Sequence, residues 1–313
     1  MEKVSIVIPV YNGSDYLDAA IQSALAQTWE NCEIIVVNDG SNDHGATASV
    51  AERYQDRITY YEKSNGGTAT ALNYGIERMK GTYFSWLSHD DLYLPNKLRN
   101  QMNLLDRKGD PKRVIAGNYA LVQDQGRPYH IMDFHQLYGK SALETPLFPV
   151  FHCAVNGCTL LIHKSQFDRV GLFREDLKTT QDYDMWFRMF RGQSVSYTKG
   201  IDVISRVHQR QTSVRYIQSH EEECTELWLR LFDSLTDQEK KAIGGNEDTF
   251  YSDMYNHFRY HTSYHEVAEM LGEHAETDQF SLRRQETSGV RLLNQMRMRN
   301  IYHRNRALLT MHG

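Results

Sequence analysis

The chain has 313 residues, of which 24% are charged and 40% hydrophobic, and its formal net charge is −5 at pH 7. This length allows one large or two medium domains with a substantial core. The sequence has no run of about 18 apolar residues and enters a strand-like segment at once, so it predicts neither a membrane span nor a signal peptide. None of the four cysteines forms a Cys-x-x-Cys pair. This argues against a structural zinc site or a disulfide framework and indicates a reducing, cytoplasmic compartment.

Strand and helix patterns alternate in the first part of the chain. Strand patterns fall at 4–10, 33–37, 58–62 and 83–87, and helical patterns fall at 15–26, 46–54 and 68–79. The first two strand runs are continuously apolar, as expected for parallel strands that are covered on both faces. The short connections predict an α/β fold with a mostly parallel, doubly wound sheet and helices on both faces.

A polar segment follows each of these strands. Tyr11, Asp39, Asn65 and the pair Asp90–Asp91 come after different strands, and ligands collect where the carboxyl ends of parallel strands meet. Two adjacent carboxylates suit a hard divalent cation that keeps positions open for phosphate oxygens. Each segment also has a plainer explanation, such as a capping aromatic, a turn, or a helix N-cap for the acidic pair. Their combination favours a ligand site.

Glycine-rich phosphate loops are missing from this edge of the predicted sheet. The first strand leads into Pro9-Val-Tyr-Asn-Gly-Ser and not into Gly-x-Gly-x-x-Gly, and no Gly-x-x-x-x-Gly-Lys-Ser/Thr segment occurs. The fingerprint of a dinucleotide-binding Rossmann unit is therefore not met. A nucleotide would have to be held by side chains and a metal.

The second half of the chain has weaker patterns. They predict a helix at 96–107, strands at 114–122 and 157–164, a hairpin turn at 123–128, and helices at 221–232 and from 239 onward. Residues 131–155 combine many aromatics with two prolines, which predicts a substrate-facing loop or lid, or a disordered connector.

Two sets of side chains recur with helical spacing near residue 255. Tyr251, Met254, Tyr255 and Phe258 are assigned to a core. His257, His261 and His265 recur every four residues, a geometry that can bind metal, but a solvated face is the favoured explanation.

Taken in order, the motifs of the first half resemble those of family 2 glycosyltransferases. They are Val4-Ser-Ile-Val-Ile-Pro-Val-Tyr-Asn-Gly13, Leu25-Ala-Gln-Thr28, Val36-Val-Asn-Asp-Gly-Ser-Asn-Asp43, Asn65-Gly-Gly67, Ala71-Leu-Asn-Tyr-Gly75 and Gly81-Thr-Tyr-Phe-Ser-Trp-Leu-Ser-His-Asp-Asp91. The resemblance covers about residues 1–215. It implies an inverting, nucleotide-sugar-dependent enzyme with the GT-A fold over 1–215, followed by a helical region over 216–313.

The resemblance also implies roles on the nucleoside side. Pro9, Tyr11 and Asp39 match positions that hold the nucleoside, with Tyr11 stacked on the base and Asp39 accepting a hydrogen bond from a base N–H. Asn65 and Asn73 lie in the motifs that surround the donor. Many members carry Arg where this chain has Leu72, which puts one donor contact in doubt.

On the metal side, Asp91 matches a ligand of Mn²⁺ or Mg²⁺. Asp90 matches a position that faces the ribose, the donor sugar or the same metal. Many members begin this motif with another Asp, whereas this chain has Ser88. We therefore expect a weaker or differently shared metal site.

Gln181-Asp182 resembles the Glu-Asp pair that starts a helix in the family and supplies the catalytic base. Inversion is a single in-line displacement, so one carboxylate must accept the proton of the acceptor hydroxyl. Asp182 is the first candidate for this base and Asp184 the second, with a helix N-cap as the structural alternative for Asp182.

Arg206-Val-His208 resembles the Arg-x-His segment that follows the last core strand in the family. Arg206 would close over the donor diphosphate, and His208 would act as a metal ligand or phosphate partner. The alternative is a basic surface loop.

These observations predict a metal-dependent inverting glycosyltransferase that uses a nucleotide-sugar, a UDP-sugar by preference, and a glycan or lipid-linked saccharide acceptor. A sugar-phosphate nucleotidyltransferase would need a basic, glycine-rich loop after the first strand, and the chain lacks one. A non-catalytic sugar-nucleotide or glycan-binding protein remains a further alternative, in which Ser88 and Gln181 would mark a decayed site.

The C-terminal tail differs in charge from the rest of the chain. From Ser281 onward there are seven arginines and one acid, Glu286, so the tail carries about +6 and the remainder about −11. We hypothesise that the tail lies on an anionic membrane, at its inner face. The rivals are packing on the protein's own acidic surface and a homo-oligomer contact. Because the arginines are confined to the tail, no nucleic acid partner is expected.

Overall fold

A computed structural model describes residues 1–123, 128–208, 211, 217–261 and 264–275. The chain divides into two compact units. Unit 1 comprises Met1–His135 and Ala154–His208, and unit 2 comprises Gln136–Cys153 and Gln209–Gly313. The domain boundary expected at residue 215 lies outside the described residues and stays a prediction.

The first sheet of unit 1 is mostly parallel. Its strands are β1 (Val4–Val10), β2 (Cys32–Asn38), β3 (Thr59–Glu62), β4 (Tyr83–Trp86) and β8 (Ile162–His163), in the order β3-β2-β1-β4-β8. The pairs β3·β2, β2·β1 and β1·β4 are parallel, and β8 is an antiparallel edge strand. Every residue of β1 is buried. Both faces of this strand are therefore covered, as its continuous apolar run predicted.

Three helices connect these parallel strands. They are α1 (Leu17–Leu25), α2 (Ala46–Glu52) and α3 (Thr68–Arg78). Each places its apolar stripe in the core, for example through Leu17 and Ile21 of α1 and Leu72 and Ile76 of α3. The predicted elements of this part of the chain are thus confirmed to within a few residues.

A second sheet completes unit 1. It contains β5 (Leu92–Tyr93), β6 (Val114–Gln123), β7 (Pro128–Met132) and β9 (Val195–Val207), in the order β5-β9-β6-β7. The pair β6·β9 is parallel, while β5·β9 and β6·β7 are antiparallel. The antiparallel pairing of β6 with β7 agrees with the predicted hairpin. Helices α4 (Lys97–Lys108), α8 (Ser165–Val170) and α9 (Gln181–Phe190) belong to this unit.

The strand predicted at 157–164 is wrong over its first half. Gly157–Thr159 forms a 3₁₀ turn, and only Ile162–His163 are in a strand. The Asn156 side chain accepts a hydrogen bond from the Cys158 N–H at 2.9 Å and caps this turn. A Cβ on Gly157 would lie 2.6 Å from the Trp86 ring, so close packing against β4 also requires this turn.

Unit 2 is helical. Residues 131–155, predicted as a loop, lid or connector, instead form short helices, and most of them belong to unit 2. The helices are α5 (Phe134–Leu137), α6 (Lys140–Glu144), α7 (Phe148–Phe151), α10 (Ile217–Asp233), α11 (Asp237–Gly244), α12 (Glu247–His261) and α13 (His265–His274). Phe151 of α7 is buried, and its ring centroid lies 5.7 Å from that of Trp228 and 5.0 Å from that of Phe232. These aromatic contacts supply the burial that such short helices need.

Other predictions for unit 2 have mixed outcomes. Met254 and Phe258 are buried as predicted. His257 lies within α12, whereas His265 begins α13, so the regular spacing of the histidines is not carried by a single helix. Within the described residues, no group of three or more His, Cys, Asp or Glu side chains could hold a metal. The basic tail from Ser281 onward lies outside the described residues. Among the helices that the structure describes, none is long and apolar enough to cross a membrane.

Candidate functional site

The acidic pair lies directly after β4. Leu87 ends the buried run, and the Asp91 N–H donates to the Ser88 carbonyl at 3.1 Å, which closes a turn. The residues Asp90 and Asp91 are only 9% and 5% exposed. The pair is therefore neither a solvated turn nor the N-cap of α4, which is preceded by Asn96.

The end of β9 closes over this pair. The Arg206 backbone N–H donates to Asp91 Oδ1 at 3.0 Å, and the Arg206 guanidinium donates to the Asp90 carbonyl at 2.6 Å. His208 Nε2 lies 2.9 Å from Asp90 Oδ2. The pairing of Leu92 with Ile204 sets this register. The structure thus brings together four of the predicted site residues, which lie more than a hundred positions apart in the chain.

The two carboxylates differ in their electrostatic environment. Burial alone would raise the pKa of Asp90, but the hydrogen bond from His208 and the positive fields of His89 and His208 hold that pKa below its ordinary value. Burial, followed by the negative charge of Asp90, raises the pKa of Asp91 to about 8. Asp91 is therefore the carboxylate whose charge is poorly compensated by the protein.

This donor set fits part of a divalent-cation site. Two adjacent carboxylates and an imidazole are suitable ligands for Mn²⁺, and a cation would supply the charge that Asp91 lacks. Because the described residues contain no complete group of three such ligands arranged for a metal, the remaining positions would fall to phosphate oxygens and water. Asp91, Asp90 and His208 are the residues that would hold the ion.

Two residues of this region were missed by the sequence analysis. The Cys158 sulfur accepts a hydrogen bond from the Ser88 N–H at 3.4 Å and its thiol donates to Ser88 Oγ at 3.4 Å. The Tyr16 ring centroid lies 5.0 Å from that of His208 and 5.2 Å from Cζ of Arg206. Tyr16 follows β1, so its strand-end position was a usable signal. Nothing in the spacing of Cys158 indicated its contact with Ser88.

A buried lysine lies beneath the acidic pair. Lys97, at the start of α4, is fully buried and donates to Ser85 Oγ of β4 at 2.7 Å and to Gln101 Oε1 at 3.0 Å. Its ammonium also lies 4.2 Å from the centroid of the Tyr93 ring. Burial lowers the pKa of Lys97 to about 7, while the negative field of Asp202 acts in the opposite direction. Lys97 fastens α4 to the strand that carries the site.

The nucleoside candidates lie at the ends of β1 and β2. Pro9 is buried within β1 and pairs with Val37, while Tyr11 is 38% exposed. The Asp39 N–H donates to the Val10 carbonyl at 2.8 Å, which brings the two strand ends side by side. The Asn65 side chain donates to the Asp39 carbonyl at 2.9 Å. Tyr11, Asp39 and Asn65 are thus neighbours, with an aromatic face open to solvent.

Asn73 has a different environment. Its amide nitrogen donates to the Phe173 carbonyl and to Glu175 Oε1, both at 2.9 Å, and its oxygen accepts from the Phe173 N–H at 2.9 Å. These contacts engage both ends of the side chain, so Asn73 fastens α3 to residues 173–175. The part of its predicted role that concerns donor contact stays a prediction.

Asp182 lies in the first turn of α9. Thr180, and not Asp182, occupies the N-cap position, and Asp182 Oδ1 accepts a hydrogen bond from the Tyr183 N–H at 2.8 Å. Asp182 is half-buried. Asp184 is buried and pairs with the Arg188 guanidinium at 2.8 Å, which gives this second candidate base a structural contact. Of the two, Asp182 is the one more open to a substrate hydroxyl.

Sequence comparisons identify relatives of the chain. A family model described as glycosyl transferase family 2 matches residues 5–169. An "uncharacterized glycosyltransferase" of Rickettsia typhi is 46% identical over 251 residues, which cover 80% of this chain and 78% of that protein. Three longer rickettsial proteins with the same description are 44–47% identical, and the chain spans only 36–41% of their length.

Structural comparisons agree. S. aureus TarS 1–349 in complex with UDP-GlcNAc matches with a TM-score of 0.62 and 16% identity, covering 87% of this chain and 80% of that one. Mannosyltransferase PcManGT from Pyrobaculum calidifontis, in complex with GDP-Man and Mn²⁺, matches with a TM-score of 0.62 and 18% identity, covering 99% and 84%. At these identities the likeness concerns the fold, and the predicted GT-A α/β fold is confirmed.

Proposed function

The chain belongs to glycosyl transferase family 2, and from this premise we propose that unit 1 transfers a sugar from a UDP-sugar to a hydroxyl of a glycan or lipid-linked saccharide, with inversion at the anomeric carbon. The choice of a UDP-sugar is supported by the fold shared with TarS, which was solved with UDP-GlcNAc.

The buried pair Asp90–Asp91 is the observation that carries this proposal. A protein that only needed a turn after β4 would not bury two adjacent carboxylates, because the like charges raise each other's cost of ionisation. The clamp by Arg206 and His208 is at the same sheet edge as Tyr11 and Asp39. A nucleoside held by Tyr11 and Asp39 would direct its diphosphate along the edge toward the acidic pair.

A divalent cation, Mn²⁺ or Mg²⁺, would neutralise the negative charge that develops on the departing diphosphate. In this proposal Asp91 and Asp90 hold the ion with His208, and the Arg206 guanidinium stays beside the Asp90 carbonyl, where it adds positive charge near the phosphates. Asp91 changes from a buried group with a raised pKa to an ionised ligand when the donor is bound.

Asp182 is the proposed catalytic base. Its carboxylate accepts the proton of the acceptor hydroxyl while the hydroxyl oxygen forms a bond to the anomeric carbon and the bond from that carbon to the diphosphate oxygen breaks. The hydrogen bond from the Tyr183 N–H to Asp182 Oδ1 fixes the orientation of the carboxylate and favours its ionised form. The second oxygen remains to receive the proton.

The test uses water as a surrogate acceptor, because slow hydrolysis needs no identified saccharide. The full chain is incubated with α-linked UDP-sugars and Mn²⁺, and proton NMR follows the anomer that is released first. Inversion predicts that the β-sugar appears before mutarotation. Release of the α-sugar first would contradict an inverting mechanism, and absence of release with every UDP-sugar and GDP-sugar would contradict the proposed activity.

The base assignment has its own variant. Asp182→Asn keeps the shape of the side chain but cannot accept the proton, so turnover should fall by about 10²–10⁴-fold, while the dissociation constant for UDP changes little. Asp168→Asn, which alters an exposed carboxylate in the first turn of α8, is the matched control. Undiminished turnover in Asp182→Asn would refute the assignment.

A further inference from the structure

Asp39 forms a close ion pair with a lysine that the sequence analysis did not consider. Lys63 Nζ lies 2.6 Å from Asp39 Oδ1, and the two side chains are 18% and 4% exposed. Asp39 ends the connection after β2, and Lys63 follows β3 directly. The pair is thus built from two neighbouring strand ends and lies beside the exposed ring of Tyr11.

Two glycines allow the pair to form. Gly40 has a φ of +67°, and a Cβ there would lie 2.6 Å from the Asn65 nitrogen and 3.0 Å from the Lys63 carbonyl. A Cβ on Gly66 would lie 2.7 Å from Thr70 Oγ1 and 3.2 Å from Lys63 Nζ. Residues 63–67 therefore fold directly against the turn that carries Asp39, and no side chain separates the ammonium from the carboxylate.

The remaining hydrogen bonds define what the pair could still accept. The Gly67 N–H donates to Asp39 Oδ2 at 2.6 Å and the Gly66 N–H to both oxygens at 3.1 and 3.2 Å. A carboxylate has about four acceptor positions, so one stays available for a ligand N–H. Lys63 also donates to the Ser64 carbonyl at 2.7 Å and to Thr70 Oγ1 at 2.8 Å.

Of these contacts, the one with Thr70 is the easiest to exchange. The Thr70 hydroxyl has a second partner, because it donates to the Gly67 carbonyl at 2.9 Å. Lys63 could therefore turn one N–H from Thr70 to a ligand carbonyl without leaving a buried hydroxyl unpaired. A ligand edge would then meet one acceptor, on Asp39, next to one donor, on Lys63.

Nucleobases differ in the order of these groups. Uracil presents N3–H beside O4, and guanine presents N1–H beside O6, so each offers a donor next to a carbonyl acceptor. Cytosine and adenine present the reverse order, a bare ring nitrogen next to an amino group. Against Asp39 and Lys63, the reversed edge would set acceptor against acceptor and donor against donor, which a polar site rejects strongly.

We propose that Lys63 is a specificity-determining residue that, together with Asp39, admits nucleoside diphosphates of uracil or guanine and rejects those of cytosine and adenine. The inference rests on the proposed function only in placing a nucleotide at this edge. The competing explanation is that the pair merely fastens residues 63–67, in which case its loss would weaken all nucleotides alike.

The experiment measures the dissociation constants of UDP, GDP, CDP and ADP by calorimetry with Mn²⁺, for the full chain. We expect the wild type to bind UDP or GDP at least about tenfold more tightly than CDP and ADP. Lys63→Met keeps the length of the side chain but removes the donor, and it should reduce this ratio to about threefold or less. Lys63→Arg should keep the ratio, and Lys80→Met, at an exposed lysine, should leave it unchanged.

The outcomes separate this inference from the proposed function. Equal binding of UDP and CDP by the wild type would overturn the role of Lys63 while leaving a nucleotide-dependent enzyme in place. An unchanged ratio in Lys63→Met would do the same. Absence of binding by all four nucleotides would overturn both. Circular dichroism of each variant checks folding, and if Lys63→Met does not fold, the wild-type ratio and Lys63→Arg still decide the question.

Discussion

Asp39 and Asp91 are both buried carboxylates that follow parallel strands of the same sheet, yet the protein treats them in opposite ways. Asp39 receives an ammonium and two backbone N–H groups, the latter from the residues that precede α3. Asp91 receives the Arg206 N–H but has Asp90 as its neighbour, and its pKa is raised to about 8. One carboxylate is neutralised by the chain itself, and the other is left for a cation from solution. The difference teaches that burial alone does not mark a metal ligand, whereas burial with uncompensated charge does.

The largest test of this difference is Asp91→Asn. If Asp91 is a metal ligand, turnover should fall by about 1000-fold, because charge stabilisation of the leaving group is lost, and Mn²⁺ should no longer raise the melting temperature. In the metal-free protein the same change should leave the free energy of unfolding unchanged or increase it, since a like-charge contact with Asp90 is relieved. Calorimetric melting with and without Mn²⁺ measures both. The control is Asp56→Asn, an exposed carboxylate that precedes β3.

Asp39→Asn should behave in the opposite way. The change leaves the Lys63 ammonium without its anion and sets an amide group against the Gly67 N–H. We expect the free energy of unfolding to fall by about 1–3 kcal/mol whether or not Mn²⁺ is present. Urea unfolding followed by circular dichroism measures this loss. If Asp39→Asn and Asp91→Asn shifted metal-free stability in the same direction, the contrast between the two carboxylates would be wrong.

Lys97 extends the contrast to a buried cation. Burial lowers its pKa to about 7 in the folded protein, against about 10.4 for a lysine in the unfolded chain. Between these values only the unfolded chain holds the proton, so this group makes stability rise with pH from about 7 to 10 and adds no slope below 7. The slope is at most about 1.4 kcal/mol per pH unit. The negative fields of Asp202 and Cys158 oppose the effect of burial.

Lys97→Met should remove that rise. Urea unfolding at pH 7, 8 and 9 compares the variant with the wild type and with Lys80→Met, whose lysine is exposed. A slope that persists unchanged in Lys97→Met would assign the pH dependence to other groups.

The smallest expected effect concerns Tyr16, which lies against Arg206 and His208. Tyr16→Ala should raise the Mn²⁺ concentration needed for half-maximal turnover by about three- to tenfold, since a ring contact of this kind contributes about 0.5–1.5 kcal/mol. Tyr16→Phe keeps the ring and should stay near the wild type. A loss of turnover in Tyr16→Ala with no change in metal requirement would show that the residue does not act through His208.

Much of unit 1 was predictable because its pattern is local. The runs in β1 and β2 are continuously apolar, and each ends in a polar turn, so the positions of Tyr11, Asp39 and the acidic pair at one edge followed from strand order alone. Arg206 and His208 were found only through a resemblance, because no local pattern places the end of β9 on Asp90.

The remaining features depend on contacts between distant side chains. The 3₁₀ turn at Gly157–Thr159 is set by the Asn156 cap and by close packing on Trp86, and neither is visible in a run of apolar letters. Helix α7 has four residues, too few to show a period, and it forms because Phe151 finds aromatic partners more than 75 positions away. Lys63 reads as an ordinary surface lysine until the folding of Gly40 against residues 63–67 is known.

The aromatic core of unit 2 has a spectroscopic consequence. Of the four tryptophans in the chain, Trp29, Trp86 and Trp186 belong to unit 1, and Trp228 is the one in unit 2. Trp228 is buried, 5.7 Å from Phe151 and 5.1 Å from Phe258 between ring centroids, so its emission should be blue-shifted and should move to longer wavelength when that core opens. Replacing the other three by phenylalanine would leave a single intrinsic fluorophore. Such a protein would report whether the helical unit melts together with the nucleotide-binding unit or as an independent body.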